Sequence, residues 1–509
     1  MLRKILSLLH NKIFIVGVLI LIQLAVFFGI VFKLSEYFVA IYFFLIALSF
    51  IISIYIVNKD DNPTYKMTWV MLIMGLPVFG GLIYLLFGGQ KVPKELRVRD
   101  NEAAKKYPGI FWQNAEIMEE LQEEDSNAFK QANYLWKNAR FPIYKQTETT
   151  FFPIGEEKFK AIVEELKKAE KFIFLEYFII APGIMWDTIL DILIQKVKEG
   201  VEVRVLYDDF GCITTLQPDY AQVLCKLGIK TKVFNPIRPR LAIQMNNRDH
   251  RKILIIDGKV GMTGGINLAD EYINKKERFG HWKDCGVMLK GEAVWNLTMM
   301  FLQFWNYDED VKDDFFQYKA ENMNFKNDGF VQPYSDSPTD SENIGEYTHI
   351  NMINGANSYV YATTPYLVID NEMKTALILA AKNGIDVRIL VPHIPDKWYV
   401  FMVTRSNYRS LIEAGVKIYE YTPGFVHGKT FVVDDKMAVV GTVNMDYRSY
   451  YLHYECGVWF YKSKVVMDVK KDYLETLEKS QQITLEDCLK VKLPVRILRS
   501  ILNLFSPMM

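Results

Sequence analysis

The 509-residue chain has no excess of charge: 60 lysines and arginines balance 60 aspartates and glutamates. A net charge of zero removes the global basic field that gathers nucleic acid, so nucleic acid is not an expected partner. Cysteine is scarce. The five cysteines (Cys212, Cys225, Cys285, Cys456 and Cys488) are odd in number, scattered, and form no CxxC pair. That pattern argues against a disulfide scaffold and reads as buried or free thiols in a reducing compartment.

What the chain has instead is apolar length. Half of its residues are hydrophobic, and two uncharged runs, 13–32 and 37–57, each reach the ~20 residues a helix needs to cross a bilayer. The first run is long for a signal peptide, shows no small-residue cleavage site, and is followed at once by the second, so a retained transmembrane helical hairpin is expected. Arg3, Lys4 and Lys12 precede the pair, Lys59 and Lys66 follow it, and the turn holds only Lys33 and Glu36. The positive-inside rule then puts both ends, and the catalytic part, in the cytoplasm. A third run, 67–87, is interrupted by Gly75, Pro77, Gly80 and Gly81 and has basic residues on both sides. It is expected to re-enter or to lie on the surface, because a full crossing would carry the basic stretch after it outside. Residues 1–100 therefore read as a multi-pass membrane-anchoring region.

The rest of the chain carries one short pattern twice: HRKILIIDGKVGMTGGIN over 250–267 and HGKTFVVDDKMAVVGTVN over 427–444. The offsets agree, His250 with His427, Lys252 with Lys429, Asp257 with Asp434, Gly264 with Gly441, and Asn267 with Asn444. A lone His-x-Lys would carry little. Two copies at one spacing imply two half-sites meeting at one pseudo-symmetric centre. Lysine is a point cation and asparagine an amide donor, both suited to phosphate oxygens. Histidine attacks or moves protons near neutral pH. The set fits a phosphodiester, with one histidine as nucleophile and the other as acid. A charged lysine has no lone pair for a metal, and no second His or Cys stands at ligand spacing, so no metal and no cofactor is expected.

From about residue 100 apolar runs alternate with helical patterns, which points to an α/β fold. Residues 171–180 read as a strand, 186–199 as a helix ended by Gly200, and 201–207 as a strand; 359–366, 371–383 with Gly384, and 385–391 repeat that order. GVEVRVL from Gly200 matches GIDVRIL from Gly384, and HWKDCGV from His281 matches HYECGV from His453 with one deletion. Two duplicated lobes follow, 101–325 with its motif region at 244–271 and 326–509 with its motif region at 421–448, each a mixed β-sheet flanked by helices. The polar stretch 308–346, including QPYSDSPTDSENIGE, reads as a linker or surface loop.

Within each motif His and Lys alternate with apolar residues, so both point to one face of a strand. Asp257-Gly258 and Asp434-Asp435 are turn signals. Gly264-Gly265 and Gly441-Thr442 would let backbone approach an anion, and Asn267 and Asn444 would bind its oxygens. Asp257 and Asp434 belong to the repeated pattern and are candidates for the chemistry, although a turn-stabilising role at a hairpin tip fits them equally. Asp284 and Glu455, aligned by the third repeated segment, are better placed to orient the imidazoles.

The duplicated His-x-Lys-x4-Asp pattern resembles the mark of the phospholipase D superfamily. The similarity is greatest to its bacterial cardiolipin synthase branch, with two N-terminal membrane helices, NNRDHRK before the first site (Asn247 and Arg248 included), a Gly-Gly and Asn after it, and GTVNMDYRS over 441–449. The resemblance implies two pseudo-symmetric phospholipase D-like lobes and a phosphatidyltransferase. Two phosphatidylglycerol molecules would give cardiolipin and glycerol through a phosphatidyl-histidine. It assigns His250 as nucleophile and His427 as acid and base, with Lys252 and Lys429 offsetting charge on the phosphate oxygens. The implied partners are phosphatidylglycerol, cardiolipin and the lipid bilayer, at a bacterial cytoplasmic membrane. A membrane-bound phospholipase D with water as acceptor would carry the same residues and is the alternative. Near the C-terminus Val495, Leu498, Ile501, Leu502 and Phe505 share one helical face beside Arg496 and Arg499, for membrane contact or for packing on the second lobe.

Overall fold

The structure is a computed structural model and describes residues 21, 23–25, 27–29, 38–76, 79–88, 110–236, 247–306, 313–321, 323–339 and 342–508. These divide into two compact units, one within Met1–Val92 and one, catalytic, from Pro93 onward with the exception of Asn235–Asn246.

In the N-terminal unit α1 (Phe38–Asn58) has 21 residues and no charge, about 31 Å at ~1.5 Å per residue. Among the described residues it is the one helix long and apolar enough to span a bilayer. It is the second run expected from the sequence; the first, 13–32, lies mostly outside the described residues. The third run is not one helix. It breaks into α2 (Pro63–Gly75) and α3 (Gly80–Phe87), and each falls short of a crossing. Pro63 starts α2 behind the Asn62 cap, whose side chain accepts from the Thr64 N–H. Trp69 meets Tyr84 edge to face at 5.2 Å over a core that includes Ile52, Ile56 and Ile73. A Cβ on Gly80 would come within 2.5 Å of the Ile73 Cα, and one on Gly81 within 2.7 Å of the Ser49 Oγ, so these glycines let α3 close on α2 and α1.

The catalytic unit holds two sheets of one design. In the first lobe the strands are β1 (Thr147–Phe152), β2 (Phe172–Tyr177), β3 (Glu202–Asp208), β4 (Lys230–Phe234), β5 (Arg248–Asp249), β6 (Lys252–Ile256), β7 (Val260–Gly264), β8 (His281–Lys283) and β9 (Gly286–Gly291). The sheet runs β1-β9-β7-β6-β2-β3-β4. In the second lobe they are β10 (Phe330–Asp336), β11 (Tyr359–Thr363), β12 (Asp386–Pro392), β13 (Lys417–Tyr421), β14 (Gly424–Val426), β15 (Thr430–Val433), β16 (Met437–Gly441), β17 (His453–Tyr461) and β18 (Ser480–Ile483). That sheet runs β10-β17-β16-β15-β11-β12-β13-β18 and repeats the first strand for strand, with β18 added. In each, the three strands from β2 or from β11 are parallel and the rest antiparallel. The parallel strands carry the crossover helices α4 (Ile184–Lys198) and, in the second lobe, α5 (Asn371–Lys382). Trp186, Ile189 and Leu193 of α4 bury against Leu175, Val203 and Val205. The duplicated lobes read from the repeat are thus one mixed α/β sheet made twice.

Two segments differ from the sequence reading. The polar stretch read as a linker contains β10, the end strand of its sheet, paired along its length with β17 and bridged on its other side by Tyr144 at Val331 alone, so Pro333 costs no ladder bond. Its polar residues are buried because they have partners: Gln332 donates to the Ala132 and Phe141 carbonyls, and Asp336 accepts from the Ile344 and Gly345 N–H groups. Helix Ser126–Ala139 falls within 101–325, yet it packs on β10 and on helix Ile344–Asn354 of the second lobe.

Two short parallel pairings join the lobes. The β5 strand pairs with the start of β17, Arg248 opposite His453 and Asp249 opposite Tyr454, and β14 pairs with β8, Val426 opposite Lys283. At the C-terminus helix α6 (Leu493–Leu504) packs on Trp398–Glu413. Leu502 reaches the Val400 and Val403 cluster and Ser406 donates to Asn503, while Leu493, Ile497 and Ile501 stay exposed. All five cysteines are free thiols.

Candidate active site

Each catalytic-motif histidine sits in the gap between two paired strands, held by the lobe it does not belong to. The His250 N–H donates to the Tyr454 carbonyl at 2.9 Å, and the His427 N–H to the Lys283 carbonyl at 2.7 Å. The residue after each of those carbonyls is the carboxylate that the imidazole meets. His250 Nδ1 lies 2.9 Å from both oxygens of Glu455, and His427 Nδ1 lies 2.6 Å from the Asp284 Oδ2. The orienting acids are therefore exchanged between lobes. Both are fully buried.

Lys252 and Lys429 are buried on the same strand faces as their histidines, and each Nζ donates to the carbonyl of the histidine two residues before it. Burial pushes Lys252 down to about 7 and Lys429 to about 8; the two ammonium groups also repel, while Glu455 attracts both. His250 is driven well below the usual histidine range by burial, then by Lys252, Lys429 and His427. His427 is lowered to about 4 by burial and Lys429, against Asp284, which raises it. Burial alone would raise Asp284, but His427 and Lys429 outweigh it and hold the carboxyl below its ordinary value. Each group feels members of both copies, so the two half-sites form one centre.

The lead-in to His250 is fixed by buried ion pairs. Arg251 reaches Glu176 at 2.6 Å and Asp249 at 3.2 Å and lies over the Phe304 ring; Asp208 accepts the Asp249 N–H and lies 3.7 Å from Arg248. Sequence reasoning named Arg248 within NNRDHRK and missed Glu176 and Asp208, which come from β2 and β3 and share no motif with it.

Asp257 and Asp434 are not brought to the centre. They stand at the far ends of β6 and β15, five residues beyond the motif lysines, about 16 Å along a strand at ~3.3 Å per residue. Asp257 accepts from the Glu170, Lys171 and Phe172 N–H groups, and Asp434 from those of Asn357, Ser358 and Tyr359. Each pins the start of the neighbouring strand, and this corrects the expectation that they join the chemistry. The glycine turns approach protein: a Cβ on Gly265 would meet Asp284 at 2.1 Å, and one on Gly441 the Cys456 carbonyl at 2.4 Å. Asn267 accepts from the Ile179 N–H and donates to Tyr272, whereas the Asn444 Oδ1 is buried without a hydrogen bond.

One neighbour was not foreseen. His453 is buried beside His250, ring centres 5.5 Å apart. His250, His453 and Glu455 bring ligand atoms within 4.8 Å of one another, a grouping invisible in linear spacing. Two ammonium groups in the same centre oppose a dication there and favour an anion.

Comparison with known proteins follows this geometry. The family model for "Cardiolipin synthase, PLD-like domain" matches residues 162–292 and 349–477, and that for "Phospholipase_D-nuclease N-terminal" matches 47–89. The chain is 37% identical over 466 residues to the cardiolipin synthase of Alkalihalophilus pseudofirmus, covering 90% of this chain and 92% of that one. It is 36% identical over 469 residues to cardiolipin synthase 2 of Bacillus anthracis, covering 91% and 90%. Among solved structures, phosphatidylserine synthase of Haemophilus influenzae shares the fold, with a TM-score of 0.57 at 16% identity over 75% of this chain and all of that one. The chain belongs to the cardiolipin synthase family of the phospholipase D superfamily. It is a membrane protein and a phosphatidyltransferase of the phospholipase D type.

Proposed function

We propose that the chain joins two phosphatidylglycerol molecules into cardiolipin and releases glycerol. The observation that carries this is the crossed arrangement: two histidines, each held by a carboxylate of the opposite lobe, around two buried lysines. His250, held neutral by burial and by the ammonium groups of Lys252 and Lys429, attacks the phosphorus of the first lipid. The P–O bond to glycerol breaks, and His427 donates a proton to the departing oxygen. The same imidazole then takes the proton from a hydroxyl of the second phosphatidylglycerol, whose oxygen displaces His250. The phosphodiester brings negative charge to Lys252 and Lys429, which restores basicity to both imidazoles. Asp284 makes His427 the one that keeps the proton. A charge pair at 4 Å is worth about 4 kcal/mol at an effective dielectric of 20, so each lysine can supply orders of magnitude in rate. Asn444 and Asn267 serve as amide donors to phosphate oxygens in this reading, Asn267 already giving one N–H to Tyr272. The lobes face the cytoplasm of a bacterial cell on a multi-pass anchor, as the basic flanks of the apolar runs direct.

The test is the purified chain in vesicles with phosphatidylglycerol as sole substrate, read by mass spectrometry. Four-chain lipid and free glycerol are expected. Phosphatidic acid without four-chain lipid would make the chain a hydrolase instead. His427→Ala and Lys252→Ala are each expected to abolish turnover while membrane insertion persists; near-normal output from either would rule out the shared centre.

A further inference from the structure

The two halves of the centre differ in what surrounds the orienting carboxylate. The residue two before each orienting carboxylate is Trp282 in the first lobe and His453 in the second. They occupy equivalent places: the Trp282 ring lies 5.4 Å from His427, and the His453 ring 5.5 Å from His250. Their chemistry toward the carboxylate differs. The Asp284 Oδ2 meets His427, and its other oxygen accepts only the N–H of Cys285. Glu455 is shared more widely. Its Oε1 accepts from the Ser449 hydroxyl at 2.8 Å, lies 2.9 Å from His250, and faces the His453 Nδ1 at 3.7 Å. That Nδ1 is buried and has no hydrogen-bond partner. Glu455 is the acceptor it faces, at ion-pair distance.

We infer that His453 is a positioning residue which, with Ser449, draws on the Glu455 carboxylate and thereby makes His250 the nucleophile and His427 the proton carrier. A carboxylate shared among three donors is a weaker base toward any one of them. Glu455 therefore stabilises a protonated His250 less than Asp284 stabilises a protonated His427. Two otherwise equal imidazoles become unequal. The inference rests on the two-histidine reaction proposed above and adds what divides the labour within it.

The charged groups around this pair are Lys252 beside His250, Lys429 and His427 from the second motif, Lys397 ahead of helix Trp398–Glu413, Arg248 opposite His453 on β5, Arg448 near His453, Asp446 acting on Glu455, and Glu455 itself, which both rings face. His453 itself is held to about 3, by burial first, so it stays neutral across the working range and acts as a hydrogen-bond donor. Removing that donor returns Glu455 to His250 and favours protonated His250. A nucleophile must be neutral, so the acid limb of kcat/KM moves to higher pH.

The experiment compares full-length wild type, His453→Trp and His453→Asn in vesicles, from pH 5 to 9. His453→Trp copies the other half-site and is expected to move the acid limb up by about half to one pH unit, a loss of roughly three- to tenfold on that limb. His453→Asn keeps an N–H donor toward Glu455 and is expected to hold the wild-type limb. If the indole prevents folding, His453→Leu replaces it, with the same expected shift. Lower rates with an unmoved limb in the Trp or Leu variant would assign His453 a purely structural role and overturn the inference. The limb is readable whether the product is cardiolipin or phosphatidic acid, so a failure of the phosphatidylglycerol reading would show separately, in product identity.

Discussion

Asp257 and Asp434 each occupy left-handed backbone, with φ of 54° in both, a conformation that aspartate tolerates at a hairpin tip. Each side chain then turns away from the histidine to collect three backbone N–H groups. The repeated pattern shows that the position matters in both copies but cannot separate chemistry from anchoring, since both would repeat. The position of Asp284 and Glu455 was legible in the matching segments, but their exchange across lobes was not, because a linear alignment pairs each with its own motif. The two kinds of acid should behave differently when changed. Asp434→Ala removes the acceptor of three N–H groups, those of Asn357 and Ser358 exposed and that of Tyr359 half-buried, and the half-buried one alone costs about 1–3 kcal/mol when left unpaired; the change is expected to lower the melting temperature while folded molecules keep most of their turnover. Asp284→Asn removes the charge that supports His427 and is expected to reduce turnover on the order of 10⁴-fold, the scale for a histidine that loses its carboxylate, with the melting temperature less affected. Thermal melts beside lipid assays separate the cases. Equal loss of turnover in both would return Asp434 to the chemistry.

Element by element, periodic segments were readable and edge segments were not. The strand at Phe172–Tyr177 and the helices at Ile184–Lys198 and Asn371–Lys382 fall where apolar spacing puts them. The β10 strand was hidden because Gln332, Pro333, Ser335 and Asp336 interrupt its apolar residues, and its place at the end of the sheet makes that composition tolerable. At the other end α6 packs on the second lobe, one of the two readings of its sequence, and leaves another face exposed. Val495 and Leu502 are half-buried, Leu502 packing on the second lobe, and Leu493, Ile497 and Ile501 form an exposed row four residues apart. Leu485 and Leu489 of the preceding short helix are exposed too, and Lys490, Lys492 and Arg496 stand near these residues in sequence. An apolar row with a basic margin fits an anionic bilayer surface. Ile497→Asp is expected to cut turnover on anionic vesicles several-fold and to leave turnover in detergent micelles unchanged; equal loss in both would place the row in the fold, and a change of oligomeric state would place a second copy against it.

At the scale of the whole molecule the pseudo-symmetry was legible in the repeat, and the reason for it lies in the crossing. Neither lobe owns a complete half-site: His250 takes its backbone acceptor and carboxylate from β17, and His427 takes both from the segment that runs from β8 into β9. The same joints bury charge. Glu455, Asp284, Lys252 and Lys429 are all nearly inaccessible to solvent, and each would be left uncompensated if the lobes parted, at a cost of several kcal/mol per group. The pairings of β5 with β17 and β14 with β8 would be lost in the same event. Opening the interface should therefore cost as much as unfolding a lobe, and the catalytic unit should melt as one. Urea unfolding followed by near-ultraviolet dichroism, by turnover and by amide exchange in β6 and β15 is expected to give one coincident transition. Protection lost in one lobe at a lower denaturant concentration than in the other would show that each lobe stands alone and that the crossed carboxylates align the site without coupling the folds.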